Sequence, residues 1–285
     1  MAAQRADGLD DRIAALAVEL GLERPTVTVL PGGLLNRTLR LQDAKHDVVL
    51  RFAGADAKAL GIDRDAELAT QQLAASVGLA PPILLARPAE GLLVTSHVAG
   101  RVLTRDEARE PVMLARIGAW LAKLHALAPP AGFAPIDIGL RAAGYLQLLC
   151  SREPTALLRC LKRRLDRLRA QLPPPDPLAP CHHDLHHFNI VDTGTALLAL
   201  DWEYAGPGDP GADLAACICY QDLDPQLTAK LLDGYGGDGR RLTARLPPLI
   251  WVFDCLCYGW MEIAATQGLA ADPDRRRRLI ERLIA

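Results

Sequence analysis

The chain has 285 residues, half of them hydrophobic, which is enough for one large domain or two lobes with a real core. A formal net charge of −2 argues against a general nucleic-acid binder. The N-terminal MAAQRADGLDDRIAALAVEL carries acids early and does not read as a secretory signal, and no run of about 18 apolar residues reads as a membrane span. Seven cysteines, an odd number lying largely in apolar runs such as ACICY and DCLCYGW, suit reduced thiols in a cytoplasmic protein.

In chain order, TVTVL (26–30) reads as a strand and Pro31-Gly32-Gly33 as a turn. RTLRL (37–41) and DVVLRF (47–52) read as a hairpin. DRDAELATQQLAASVG (63–78) has helical spacing at Ala66, Leu68, Ala69, Leu73 and Val77, with Asp63 as N-cap and Gly78 as C-cap. PILLA and GLLVTSHV are two more strands around a turn at Pro88–Gly91. Beyond residue 101 the pattern turns helical, with helices over 110–127 and 155–172, the second with a basic side. The proline-rich PPPDPLAP ends that helix; NIVD and LLALDWE are short strands, and helices return from about 211. The expected class is α+β: a sheet-rich N-terminal lobe over 1–97 and a larger, mostly helical C-terminal lobe over 98–285. Arg275 to Arg278 read as a solvated helix face.

CHHDLHHFN (181–189) holds four of the seven histidines within six residues. Zinc would use cysteine and histidine, but no C-x-x-C pair accompanies them and adjacent histidines point apart. Phosphoryl transfer fits the pattern better. It needs a base for a hydroxyl and hard oxygen ligands for the magnesium ions that bridge the phosphates. Asp184, Asn189 five residues on, and Asp201 at the end of an apolar strand supply that set. His182 reads as a residue that shapes the loop, His125 as a satisfied core histidine, and His183 and His187 as surface or packing residues. His186 could contact phosphate or pack under the loop.

With this order of motifs the sequence resembles the aminoglycoside phosphotransferase/choline kinase superfamily, which has the protein-kinase-like two-lobe fold. Its bacterial thiamine kinase branch is most similar, through HHDLHHFNIV, LLALDWEYAGPGDPGADLA and GWMEIAATQG, with choline kinase next. The resemblance implies an ATP- and Mg2+-dependent kinase acting on a primary hydroxyl of a small molecule: thiamine first, choline or ethanolamine second, an aminoglycoside third. It implies neither a nucleic-acid partner nor a membrane one. Asp184 would be the catalytic base, and Asn189 and Asp201 the metal ligands. Gly32, Gly33 and Asn36 would cover the phosphates, although PGGLLN is not a full G-x-G-x-x-G. Arg51, where many relatives have lysine, would grip the phosphates with Glu67 holding it. The hinge at Ser96 and Val98 would meet adenine. Glu203 would assist metal or substrate, and Asp213 would brace the catalytic loop.

At about 100° per residue, Phe253, Leu256, Trp260 and Ile263 form an apolar face of the helix near 249–264. Trp251, Asp254, Tyr258 and Glu262 lie nearly opposite and mix aromatics with acids. Such a face suits a cationic substrate, since aromatic faces attract cations by roughly 0.5–2 kcal/mol; the bland reading is a buried helix with satisfied polar groups.

Overall fold

The computed structural model describes residues 2–31, 36–54, 61–175, 177–237, 242–266 and 272–285. The fold is α+β, in two compact units: Met1–Leu60 with Pro81–Ala99, and Gly61–Ala80 with Gly100–Ala285.

The first unit is an antiparallel sheet with one helix. Helix α1 spans Ala2–Glu19, and the strands are β1 (Thr26–Val29), β2 (Asn36–Gln42), β3 (Asp47–Ala53), β4 (Ile83–Arg87) and β5 (Leu92–Ser96), in the order β1-β2-β3-β5-β4. Alternation along β3 buries Val48, Leu50 and Phe52 and turns Val49 and Arg51 to the other face. The buried residues pack with Leu39, Leu41, Leu92 and Val94, and with Ile13, Leu16 and Ala17 from α1. The β2–β3 hairpin closes through the Asp43 carboxylate, which accepts from the Lys45 and His46 amides at 2.7 and 2.6 Å. The α1 helix extends the sequence reading, which took its segment only as a non-signal; the spacing of Leu9, Ile13, Leu16 and Leu20 carries the helical signal.

Helix α2 (Arg64–Ser76) starts at the expected cap, where the Asp63 side chain accepts from the Asp65 and Ala66 amides. It belongs to the second unit, although the sequence reading set residues 61–80 with the sheet. Ala74, Leu79 and Ala80 join the core around Trp120 and Trp202, and the Ala199 amide donates to the Leu79 carbonyl at 2.9 Å.

The second unit continues with β6 (Arg101–Val102), α3 (Arg105–Ala108), α4 (Pro111–His125), α5 (Ile138–Arg152), α6 (Ala156–Gln171), β7 (Ala179–Cys181), β8 (Ile190–Asp192), β9 (Leu197–Ala199) and β10 (Gly206–Gly208). It ends with α7 (Pro210–Gln221), α8 (Pro225–Tyr235), α9 (Leu246–Thr266) and α10 (Pro273–Ile284). β7 pairs with β10, and β8 lies between β6 and β9. Two hydrophobic cores share α7: Leu214, Cys217 and Ile218 enter the core around Trp202, while Ala212, Ala215, Ala216 and Cys219 enter the core around Phe253. A helix apolar all round is a core helix. The same applies to α9. It is long and apolar enough to cross a membrane, which the sequence reading did not credit, yet 72% of its apolar window is buried among the other helices.

Helices α4 and α8 touch backbone to backbone. A methyl group on Gly118 would meet the Leu231 carbonyl and come within 2.7 Å of the Tyr235 nitrogen; one on Gly234 would meet Ala115. Overpacking of this kind costs about 1–3 kcal/mol. Gly118→Ala should therefore lower the unfolding free energy by that amount, seen as a lower urea midpoint with an unchanged m value, while Gly144→Ala, where a methyl group enters open space, should not.

Candidate active site

The loop between β7 and β8 is held from below by one carboxylate. Asp213, in the first turn of α7 and fully buried, accepts from the His182 and His183 amides at 2.8 and 2.6 Å. It also meets His125 Nε2 at 3.1 Å, and His125 Nδ1 meets the Tyr235 hydroxyl at 2.9 Å. Burial opposes ionisation of Asp213, but the His125 hydrogen bond, the nearby histidines and the loop amide outweigh it and hold the carboxyl below its ordinary range. His125 is thus a satisfied core histidine. It lies with Cys181 and Asp213 in the one His/Cys/Asp cluster of metal-binding dimensions among the described residues. Asp213 there is already committed to the loop, and burial pushes the Cys181 thiol well up.

Each histidine of the run has its own place. His182 Nε2 meets the Leu200 carbonyl at 2.9 Å, and its ring lies 4.7 Å from Trp202, tying the loop to the strand end that carries Asp201. His183 takes a left-handed backbone, φ 62°. It is 4% exposed, and neither ring nitrogen has a hydrogen-bond partner among the described residues. Its ring packs on Gly208, where a methyl group would collide with it. Of the two readings, surface or packing, packing is the one observed. His186 stands edge-on to the Tyr220 ring at 5.2 Å, with Nε2 3.8 Å from Asp184 Oδ2. His187 is half-buried and stacks on Phe188 at 4.1 Å.

This bracing brings Asp184, Asn189 and Asp201 together. The Asn189 amide nitrogen donates to the Asp184 carbonyl at 2.9 Å, which leaves its amide oxygen as the atom that can meet a cation. The Leu200 amide donates to the Asn189 carbonyl at 2.8 Å, setting β9 beside the loop. Asp201 follows with φ 56°, a left-handed conformation that costs an L-residue about 1–3 kcal/mol and clusters at functional sites. Its charge is felt at Asp184, His182 and His186. Desolvation raises the Asp184 carboxyl to about 6, against a hydrogen bond from the Tyr220 hydroxyl to Oδ1. Beside this group, Arg64 bridges two buried acids, Glu67 at 2.7 Å and Glu203 at 3.6 Å.

Asn36, Arg51, Ser96 and Val98 belong to the first unit. Asn36 opens β2, opposite Ala53; Arg51 lies on the β3 face away from Leu50 and Phe52. The Ser96 amide at the end of β5 donates to the Pro82 carbonyl at 2.9 Å, and Val98 follows β5. Gly32 and Gly33 lie outside the described residues. The mixed face of α9 is covered by α10. Trp251 Nε1 donates to the Leu283 carbonyl at 3.2 Å, and Arg282 pairs twice with Asp254, at 2.8 and 2.6 Å. Arg276 pairs with Glu262, and Tyr258 is buried. The acids expected to attract a substrate cation thus hold arginines of this chain. The face assigned to the core comes closer to the loop, with Phe253 5.2 Å from Tyr220 and Trp260 beside the Tyr204 hydroxyl.

The sequence reading missed Arg64, Tyr204, Tyr220 and Arg275. Only Arg275 carried a signal, as the first of four arginines; the other three are exposed, whereas Arg275 turns inward over the Tyr220 ring.

The chain belongs to the phosphotransferase enzyme family (APH), whose sequence profile matches residues 26–248. In fold it is similar to a choline/ethanolamine kinase family protein from Mesorhizobium loti (27% identical, TM-score 0.77, 96% of this chain and 93% of that one). It is also similar to choline kinase LicA from Streptococcus pneumoniae (20% identical, TM-score 0.80, 97% and 99%), which has also been solved with AMP. A thiamine kinase of Escherichia coli is 51% identical over 55 residues; the match spans 19% of this chain and only 20% of that protein.

Two outcomes follow from the loop's bracing. Removing Asp213 leaves two buried loop amides and the His125 ring without their acceptor, at about 1–3 kcal/mol for each buried group left unsatisfied, so Asp213→Ala should lose at least about 2 kcal/mol of unfolding free energy in urea. Burial lowers His183 from its ordinary 6.5 to about 4. Below 6.5 the unfolded chain therefore binds a proton that the folded chain refuses, and stability falls as the pH drops towards about 4. The loss should total on the order of 3 kcal/mol, and His183→Asn should remove that part of the acid dependence.

Proposed function

We propose that this chain transfers a phosphoryl group from ATP to the primary hydroxyl of a small molecule, with thiamine as the first acceptor. The observation that carries this reading is the convergence of a desolvated carboxylate, Asp184, with the amide oxygen of Asn189 and the carboxylate of Asp201 on one braced loop and its neighbouring strand end. Asp184 would orient the acceptor hydroxyl and take its proton. Asn189 and Asp201 offer hard oxygens that fit Mg2+, which would supply charge neutralisation at the phosphates. Asn36, Arg51, Glu67, Ser96 and Val98, with Gly32 and Gly33, are assigned to the nucleotide.

Thiamine stands first because of the 55-residue match to thiamine kinase, and choline or ethanolamine second because of the fold neighbours.

The test is ADP release with Mg2+ and ATP against thiamine, choline, ethanolamine and an aminoglycoside. Turnover with thiamine alone supports the full reading. Turnover with choline or ethanolamine alone keeps the reaction and replaces the acceptor, and silence across the panel with ATP still bound removes the transfer activity proposed here. Asp184→Asn should lower kcat by about 10²- to 10⁴-fold, the usual worth of a positioned base, while ATP binding by calorimetry stays intact.

A further inference from the structure

Asp184 has two carboxylate oxygens, and the structure distinguishes them. Oδ1 accepts a hydrogen bond from the Tyr220 hydroxyl, while Oδ2 faces His186 Nε2 at the longer distance of 3.8 Å. The phenol is pinned on every side. Phe253 lies edge-on at 5.2 Å with planes at 79°, His186 edge-on at 5.2 Å with planes at 80°, and the Arg275 guanidinium 5.2 Å from the ring centroid. Arg275 also reaches Cys257 Sγ at 3.9 Å. It stands in the first turn of α10, where the Asp272 cap accepts from its amide at 2.9 Å. The rest of α10 is fastened by buried Leu279 and Leu283 and by the Arg282–Asp254 pair.

We propose that Tyr220 is the positioning residue of the base, and that Arg275 clamps Tyr220 in place. By holding Oδ1, the phenol fixes the carboxylate rotor and presents Oδ2 to the acceptor hydroxyl. The clamp comes from the last helix of the chain, so the seating of α10 sets the geometry of a loop some ninety residues earlier in the sequence. Neither residue needs to touch the acceptor or the nucleotide to do this.

This inference rests on the phosphotransfer reading for its kinetic readout but not for its structural one. Tyr220→Phe keeps the ring contacts and removes the hydroxyl. It should lower kcat about 10- to 100-fold, the scale expected when a reacting group is misplaced by about 1 Å. KM for ATP and for the acceptor should stay within about two-fold, and Tm within about 2 °C. Arg275→Met should lower kcat in the same way, and Arg275→Lys should recover part of the loss, because a cation returns over the ring. A kcat for Tyr220→Phe within about two-fold of the parent overturns the proposal. So does a raised acceptor KM with unchanged kcat, which would mean that Tyr220 touches substrate instead. If the parent protein transfers phosphate to none of the four acceptors, the activity reading fails by itself, and the crystal structure of Tyr220→Phe decides this one. A rotated Asp184 carboxylate supports positioning, and an unmoved one overturns it.

Discussion

The site hangs on a charge buried at the start of α7. A lone carboxylate in a protein interior costs several kcal/mol unless donors surround it. Asp213 meets that condition with two consecutive loop amides and the imidazole of His125. Its place in the first turn of the helix adds the favourable end of the helix dipole. Because both amides must point at one carboxylate, the backbone of 182–183 has little choice of path. The left-handed conformation of His183 belongs to that path, and Gly208 leaves the room its ring needs.

From there the loop's polar groups fix its own shape. The rings of His182 and His125, the amide nitrogen of Asn189 and the amide of Leu200 are all engaged within the second unit. On this framework the Asn189 amide oxygen converges with the carboxylates of Asp184 and Asp201, all acceptors, with Oδ1 of Asp184 held by the Tyr220 hydroxyl. Burial raises Asp184 because the charged form is poorly solvated there, the condition under which a carboxylate becomes a useful base near neutral pH. Arg64 balances the negative charge of Glu67 and Glu203 alongside.

Helix α9 shows that a local pattern does not choose the surface it meets. Its two faces are those that helical periodicity separates, and Phe253, Leu256 and Ile263 are indeed buried. Periodicity does not say what lies against each face. The mixed face is satisfied by α10, whose arginines complement its acids and whose last turn accepts from the Trp251 indole. The apolar face, by contrast, carries the packing that reaches Tyr220. Charge pairs formed between segments about 14 to 28 residues apart depend on how the chain turns between them.

The sequence by itself determined the α+β class, the hairpin of β2 and β3, the Asp63 cap, the long helices and the grouping of Asp184, Asn189 and Asp201. The elements among these are set by period and by capping chemistry, so neighbours in sequence are enough for them, while the three oxygen-bearing residues were grouped by the order of the motifs along the chain. Tertiary structure alone decided that α2 packs with the helical unit and that Arg64 serves Glu67 and Glu203. It likewise decided that one arginine of four turns inward, and that a tyrosine thirty-six residues beyond Asp184 holds its carboxylate. These outcomes depend on which faces meet once the cores close around Trp202 and Phe253. A contact between distant residues leaves no periodic trace in either of the segments that make it.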